Sequence, residues 1–573
     1  MTYFQNYNPT ENVYLSTFLA ALPIIVLLYL LALHPHKDKQ GHRQLGIFAP
    51  YAAILATLVA FCIVTLVMKM PPSIAASSFL FGFFTSGVFP IGWIVFTAIF
   101  LYNITVVTGQ FEVLKDSIAG ITDDRRLQAL IIAFSFGAFM EGTSGFGTPV
   151  AVCGAIMVGL GFRPMTAAVI CLIANTSPVA FGAVGTPIIT LSAASGIPEH
   201  YLTMMAGRQL VLFSIIVPFW LVATLVFMDK GSWKDVWDVW PATLVCGASF
   251  ALAQFIFSQM GWTGVINITA GIFSMILTIL FLRVWKPKHI MGHADSADNQ
   301  SKLSETGKFA KHTISEYIKA WTPWALLGST VFIIGLNSVK TTLNNLFCPT
   351  FNWPYLHNLV YHTPPVGSGD TPMAAVFKFN FLTMAGTGIL LAALISGFFV
   401  LKLSSSQWKA AFSMTISRMK VPLSVICTVL GFGFMTRYSG TDAVLGLAFT
   451  KTGAAYPFFA SMLGWLGVFL TGSDASSNAM FGNLQRITAE QLGLNPVLIV
   501  TANSTGGVMG KIINAQSMVV ATVACYKNHH EGMAAVGPIF RAVFWHSLIL
   551  GILISTFVWA QAYVFPWMQV WMP

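Results

Sequence analysis

Charge is scarce in this sequence. Only 9% of its 573 residues are Asp, Glu, Lys or Arg, against roughly 25% in soluble domains. That excludes a water-soluble fold. Short segments of alternating hydrophobicity are also missing, which excludes a membrane β-barrel. The formal net charge is +10, but no basic run gathers it. Nucleic acid is therefore not an expected partner, and the excess in particular loops instead sets membrane orientation. Seven cysteines are scattered without a C-x-x-C pair, which argues against a disulfide scaffold or a zinc site. No metal and no cofactor is expected. The apolar runs hold no paired Asp, no H-E-x-x-H and no Ser with a nearby His, so no intramembrane hydrolase is expected either.

What the sequence has is hydrophobic length. It is 55% hydrophobic and repeats apolar runs of about 20 residues, the length of a membrane-crossing helix. The first run, 14–33, follows Glu11 and no Lys or Arg, with no small-residue cleavage site after it. It reads as a retained span rather than a signal peptide. The basic loop 34–43 is expected on the cytoplasmic side, which puts the N-terminus outside. Further spans are expected near 45–68, 74–108 (with Pro90 as a breaker), 207–228, 240–259, 264–285, 322–339, 373–401, 421–436 and 538–565. Charged loops at 112–128 and 402–420 belong inside; the positively poor stretch 340–372 belongs outside.

Two regions interrupt this pattern. "GAFMEGTSGFGTP" (137–149) lies between apolar arms of about 12 residues, each too short to cross, so 129–160 reads as a re-entrant hairpin. "TGSDASSN" (471–478) marks a second one over 456–492. Each is followed by a span with a polar interruption: "ANTSPV" (174–179) inside 164–195, and "ANSTGG" (502–507) inside 496–523. "GAFMEGTSGFGT" aligns with "GVFLTGSDASSN", "LGFRP" (160–164) with "LGLNP" (492–496), and "ANTS" (174–177) with "ANST" (502–505), in the same order. On the expected topology the first hairpin enters from the cytoplasm and the second from outside. The sequence therefore predicts an all-α polytopic membrane protein of about 12 transmembrane helices plus two re-entrant hairpins in an inverted repeat, a plan that builds one midplane site from two halves. The halves are 1–285 and 321–573, joined by a cytoplasmic linker, 286–320, with both termini outside. Hairpins closed from opposite sides fit alternating access better than the continuous filter of a channel.

Irregular backbone at membrane depth belongs where protein or a water-filled cavity surrounds it, and helix ends at such breaks attract ions. Small polar residues also occur wherever helices pack closely in lipid. Thr143, Ser144, Asn175, Thr176, Ser473, Asn478, Asn503 and Ser504 are candidates to bind a carboxylate and a 2-hydroxyl, or else to cap the broken helices. Gly142, Gly145, Gly185, Gly472 and Gly510 would permit close backbone approach, with Gly145 counted in the binding set. Lys511, an intramembrane cation, is expected to pair with a substrate carboxylate or with Asp474. Proton coupling needs a carboxylate that protonates in transit. Asp474 is one candidate; Glu141, with no evident cationic partner in sequence, is the first choice. Asp442 is expected to be exposed.

"EGTSGFGTPVAV" (141–152), "LIANTSPVAFGAVGTPI" (172–188), "TGSDASSNAMFGNLQ" (471–485) and "ANSTGGVMGKIINAQS" (502–517) resemble the bacterial L-lactate permease family over most of the chain. The resemblance weakens in 286–320 and 340–372. It implies an inner-membrane symporter that takes up lactate, and often glycolate, with a proton. It also implies kinship with transporters that move a hairpin-bearing domain against a scaffold, an elevator-type mechanism. The partners implied are a small carboxylate, a proton and membrane lipid; a homodimer is left open, as is sodium in place of the proton. Where the family pattern reads Lys-Met-Ile-Ser-Pro-Gln, this chain has 511–516 with Lys511 and Gln516 kept and no Pro. Both join the binding set, and a gentler break is expected there.

Overall fold

The computed structural model describes residues 2–32, 34–37, 43–45, 47, 49–119, 121–145, 147–292, 312–366, 372–526 and 529–572. Part of the basic loop 34–43 and most of the expected linker 286–320 thus lie outside the described residues. The chain is mostly helical. Among the described residues, seven helices are long and apolar enough to cross a bilayer, and up to ten if each of three bent pairs counts as one span. Their outward faces carry large apolar side chains such as Tyr14, Leu212 and Leu280, as a lipid-facing surface requires.

Regions 129–160 and 456–492 each form a helix–turn–helix unit, with less irregular backbone than their composition suggests. In the first, helical backbone runs from Ala129 through Thr143, and a second arm spans Thr148–Gly159. Between them, Ser144, Gly145 and Gly147 depart from the helix. In the second, Tyr456–Thr471 and Asp474–Gln491 are joined by Gly472 and Ser473 alone.

The first broken helix follows the sequence. Pro164–Ala174 stops, and the chain resumes at Val179 with a bend of 68°. Ala183, Val184 and Gly185 then take left-handed backbone before the helix continues to Ser195. The second broken helix corrects the sequence reading. Residues 502–507 stay inside one helix, Pro496–Gly510, and the 41° bend falls after Ile513. Gly506 and Gly507 serve close packing there: a Cβ on Gly507 would lie 2.5 Å from Asp474 Oδ1. Small residues that let helices approach need not break one.

The two helix–turn–helix units pack crosswise on the two broken helices. The second arm of the first hairpin lies on Ala515–Cys525, the distal half of the second broken helix; the second arm of the second hairpin lies on Gly182–Ser195, the distal half of the first. One apolar core runs through both hairpins and both broken helices. A second gathers the N-terminal helices, the long helix Ser405–Ser439 and part of Asp474–Gln491.

The sequence reading missed the three small two-stranded sheets found among the described residues. One pairs Tyr3–Phe4 in parallel with Val360–Tyr361. From that strand, Gln5 Nε2 donates to the Arg437 and Tyr438 carbonyls at 3.0 and 2.9 Å, and the Tyr3 hydroxyl donates to the Ser439 carbonyl at 3.0 Å. The N-terminus thereby bonds three successive carbonyls at the end of Ser405–Ser439, where a helix runs out of its own donors; of the three, the Arg437 carbonyl also accepts from the Gly440 amide at 3.4 Å.

Candidate functional site

The second hairpin turns at Gly472, whose φ of +78° ends the preceding helix in left-handed backbone; glycine adopts this without a Cβ clash. Lys511 Nζ donates to the Gly472 carbonyl at 2.6 Å, a cation at a helix C-terminus where the dipole favours it. Asn514 donates from Nδ2 to the Phe469 carbonyl at 3.2 Å, and its Oδ1 accepts from the Ser517 amide at 3.0 Å. One side chain therefore caps the helix after the bend and secures the hairpin tip. The first hairpin meets its own broken helix in the same way: Gly145, at φ +58°, lies against Ala183, where a Cβ would come within 2.9 Å of the alanine methyl.

Lys511 connects the two tips. It faces Asp474 from the second hairpin and Glu141 from the first. The expectation that Glu141 lacks a cationic partner is therefore corrected: its partner comes from the other half of the chain. Asp474 Oδ2 accepts a hydrogen bond from Ser504 Oγ at 2.6 Å, while Oδ1 has no hydrogen-bond partner. Glu141 is 4% exposed and its Oε2 has no hydrogen-bond partner. Asn175 faces it.

The remaining expected residues divide by what they touch. Thr143 and Ser144 both donate to the Met140 carbonyl, at 3.1 and 3.0 Å, and Thr176 donates to the Ile173 carbonyl. Ser473 Oγ caps the helix Asp474–Gln491 by accepting from the Ser476 amide at 3.2 Å. Gln516 lies on a helix, but its side chain falls outside what is described. Asp442 is corrected: it is 4% exposed rather than open to solvent, and Asn483 Nδ2 approaches its Oδ2 at 3.4 Å. The short helix Thr441–Phe449 folds back onto the second hairpin and covers it.

Asn478 and Asn503 belong to a chain of hydrogen bonds with one direction. The Tyr456 hydroxyl donates to Gln485 Oε1 at 2.7 Å, and Gln485 Nε2 donates to Asn503 Oδ1 at 3.2 Å and to the Ala460 carbonyl at 3.0 Å. Asn503 Nδ2 donates to Asn478 Oδ1 at 2.9 Å, and Asn478 Nδ2 donates to the Pro187 carbonyl at 3.1 Å, in the first broken helix. Each amide orientation is set by the one before it. Sequence reasoning missed Tyr456 and Gln485. Spacing gives Gln485 away: it stands seven residues after Asn478, two turns along the same helix face.

Tyr456→Phe is expected to leave Gln485 Oε1 without its donor, at a cost of about 1–3 kcal/mol for a buried unsatisfied acceptor. The expected outcome is a lower melting temperature and a several-fold lower maximal uptake at normal membrane abundance. Wild-type values for both would show that the chain does not depend on its first donor.

A cavity of about 450 Å³ opens elsewhere, beside the N-terminal strand, lined by Gln5, Tyr7, Thr363, Val444 and Lys451 among others. None of the expected binding residues lines it.

Comparison with known proteins bears on this arrangement. The family model for L-lactate permease matches residues 16–565. The chain belongs to the L-lactate permease family. It is 42% identical over 585 residues to the glycolate permease GlcA of Escherichia coli K12, covering 100% of both chains. It is 40% identical over 575 residues to the L-lactate permease of the same organism, covering 98% of this chain and 99% of the relative. The Bacillus subtilis L-lactate permease is 40% identical over 591 residues, with 99% and 100% covered. This chain is accordingly a multi-pass permease of the bacterial inner membrane and not an enzyme.

Proposed function

We propose that this permease imports L-lactate, D-lactate, glycolate and related 2-hydroxymonocarboxylates across the inner membrane together with protons. The observation that carries the reading is Lys511 at the tip of the second hairpin, bonded to the Gly472 carbonyl at 2.6 Å, with the buried carboxylates of Asp474 and Glu141 within its electrostatic reach. A lone intramembrane cation is expensive and marks a substrate or ion path. The substrate carboxylate would bind at Lys511, with Asn175, Ser504 and the hairpin tips around it. Glu141 and Asp474 are the groups that would carry the proton. The relatives named as L-lactate and glycolate permeases support the substrate class.

The crosswise packing of hairpin arms on the distal halves of the opposite broken helices supports an inverted repeat. That arrangement suits alternating access in which the hairpin-bearing part moves against the rest. The boundaries 1–285, 286–320 and 321–573, about twelve spans and outward termini belong to the same reading.

The test is counterflow of labelled L-lactate in proteoliposomes, competed with D-lactate, glycolate and pyruvate. Exchange-accelerated flux that the 2-hydroxy acids suppress supports the carrier. Steady conductance without counterflow would assign a channel. Uptake that survives collapse of the pH gradient would overturn the proton assignment.

A further inference from the structure

Four buried oxygens around the first break have no hydrogen-bond partner: Glu141 Oε2, Asn175 Oδ1, Ser177 Oγ and Asn267 Oδ1. Their residues are 4, 4, 1 and 1% exposed, so water does not reach them from the surface. An orphaned buried polar group costs about 1–3 kcal/mol, and native proteins keep such groups few. Contacts link the residues that carry them, and a Cβ on Gly182 would lie 2.5 Å from Glu141 Oε1. Asn175 faces the Glu141 side chain. Asn267 donates from Nδ2 to the carbonyl of Pro178, the neighbour of Ser177. Gly142, next to Glu141, packs so closely on Asn267 that a Cβ would lie 2.7 Å from the Asn267 Cβ.

The chemistry of the set is uniform. The Asn267 nitrogen is committed to a carbonyl, which leaves its oxygen as the free atom. Asn175 faces a carboxylate, to which an amide presents its NH₂, so its oxygen is free as well. One carboxylate, two amide oxygens and a hydroxyl make an oxygen-only set with a single formal negative charge. Divalent calcium or magnesium favours more carboxylates or retained water, and zinc and copper want nitrogen or sulfur. Among the described residues no group of three or more His, Cys, Asp or Glu forms a metal cluster. The helix Pro164–Ala174 also ends here, and a helix C-terminus favours positive charge.

The repeat adds an independent argument. With "ANTS" (174–177) aligned on "ANST" (502–505), Ala183 stands where Lys511 stands in the second half. The second break has a built-in cation; the first has oxygens and an alanine.

We propose that the first break binds a sodium ion, held by Glu141, Asn175, Ser177 and Asn267. This rests on the carrier reading above and amends it at one residue: Glu141 takes sodium, and the proton is left to Asp474. With an anionic substrate present, Glu141, Asp474 and the substrate carboxylate are opposed by Lys511 alone. One sodium at Glu141 and one proton on Asp474 bring that buried group to neutrality, which a low-dielectric interior favours.

The experiment uses the purified full-length protein. Melting temperature is followed against NaCl, KCl and choline chloride at matched ionic strength, up to about 100 mM, because a ligand of the folded state raises stability with its concentration. A saturable, sodium-specific rise is expected in the wild type. Ser177→Ala removes only the hydroxyl and is expected to raise the half-saturating sodium concentration about tenfold, the equivalent of ~1.4 kcal/mol. Glu141→Gln is expected to abolish the response. The proposal is overturned if the wild type melts alike in all three salts, or if both variants respond as the wild type does. Lactate counterflow on the same preparation, with and without sodium, separates the two readings. No counterflow in either condition defeats the carrier. Equal counterflow in both defeats the sodium site and leaves the carrier standing.

Discussion

Lys511→Ala is expected to abolish lactate uptake while the protein still inserts at normal abundance. Lys511 holds the Gly472 carbonyl at 2.6 Å and is the cation that faces both Glu141 and Asp474. Removing it takes away that charge-assisted hydrogen bond and the positive charge opposite a substrate carboxylate, and a hydrogen bond to a charged group is worth about 1.5–3 kcal/mol. With ~1.4 kcal/mol per factor of ten, that is about one to two orders of magnitude in occupancy of the substrate-bound state. Insertion depends on the apolar spans, which the substitution leaves intact. Uptake of labelled L-lactate, normalised to the amount of protein in the membrane, decides the matter. Near-wild-type uptake would remove Lys511 from the site and with it the link between the hairpin tips.

The sequence made some parts of this fold legible because composition and geometry coincide there. In "ANTSPV" a proline follows Asn175, Thr176 and Ser177, and the helix ends at Ala174; proline disfavours helical backbone in the residue before it. "ANSTGG" has the same look but no proline. Its glycines stay helical because they are pressed against neighbours, Gly507 on Asp474 among them. The second break moved to the residues after Gly510, where Asn514 caps the next helix. Gly-rich composition marks close approach in one case and a break in the other, and a single sequence does not separate them. Asp442 misled for a related reason. "RYSGTD" carries the glycine and charge of a loop leaving the membrane, but its burial depends on Asn483, far along the chain. The strand pairing of Tyr3 with Val360 was illegible because two-residue strands carry no periodicity and their partner is distant.

The candidate site residues show the same division. Lys511 and the two tip carboxylates stood out because intramembrane charge is rare. Tyr456, Gln485, Ser177 and Asn267 did not, because neutral polar residues in apolar helices are common and what matters about them is which atoms remain without a partner. The structure commits Asn478 and Asn503 to each other and to the Pro187 carbonyl, which leaves Glu141, Asn175, Ser177 and Asp474 with oxygens to spare.

Asp474→Asn is expected to separate accumulation from exchange. The amide copies the shape of the protonated acid and cannot release a proton. Asp474 Oδ2 accepts from Ser504 at 2.6 Å, a bond that an amide oxygen in the same place retains, so the second hairpin should keep its seat on Pro496–Gly510. Accumulation driven by a pH gradient requires the carrier to return unloaded and deprotonated; exchange of labelled for unlabelled lactate does not. In Asp474→Asn, pH-driven accumulation should therefore fall by about two orders of magnitude, the scale of a lost proton-transfer group, while counterflow at equal pH stays within a few-fold of wild type. Glu141→Gln is the comparison, since Glu141 is assigned to sodium: it should lose the sodium response and keep a dependence of uptake on the pH gradient. If Asp474→Asn still accumulates lactate against a pH gradient, the proton rides elsewhere. If Glu141→Gln shows the exchange-only behaviour instead, the two carboxylates have their roles reversed, and the sodium site loses the ligand on which its charge depends.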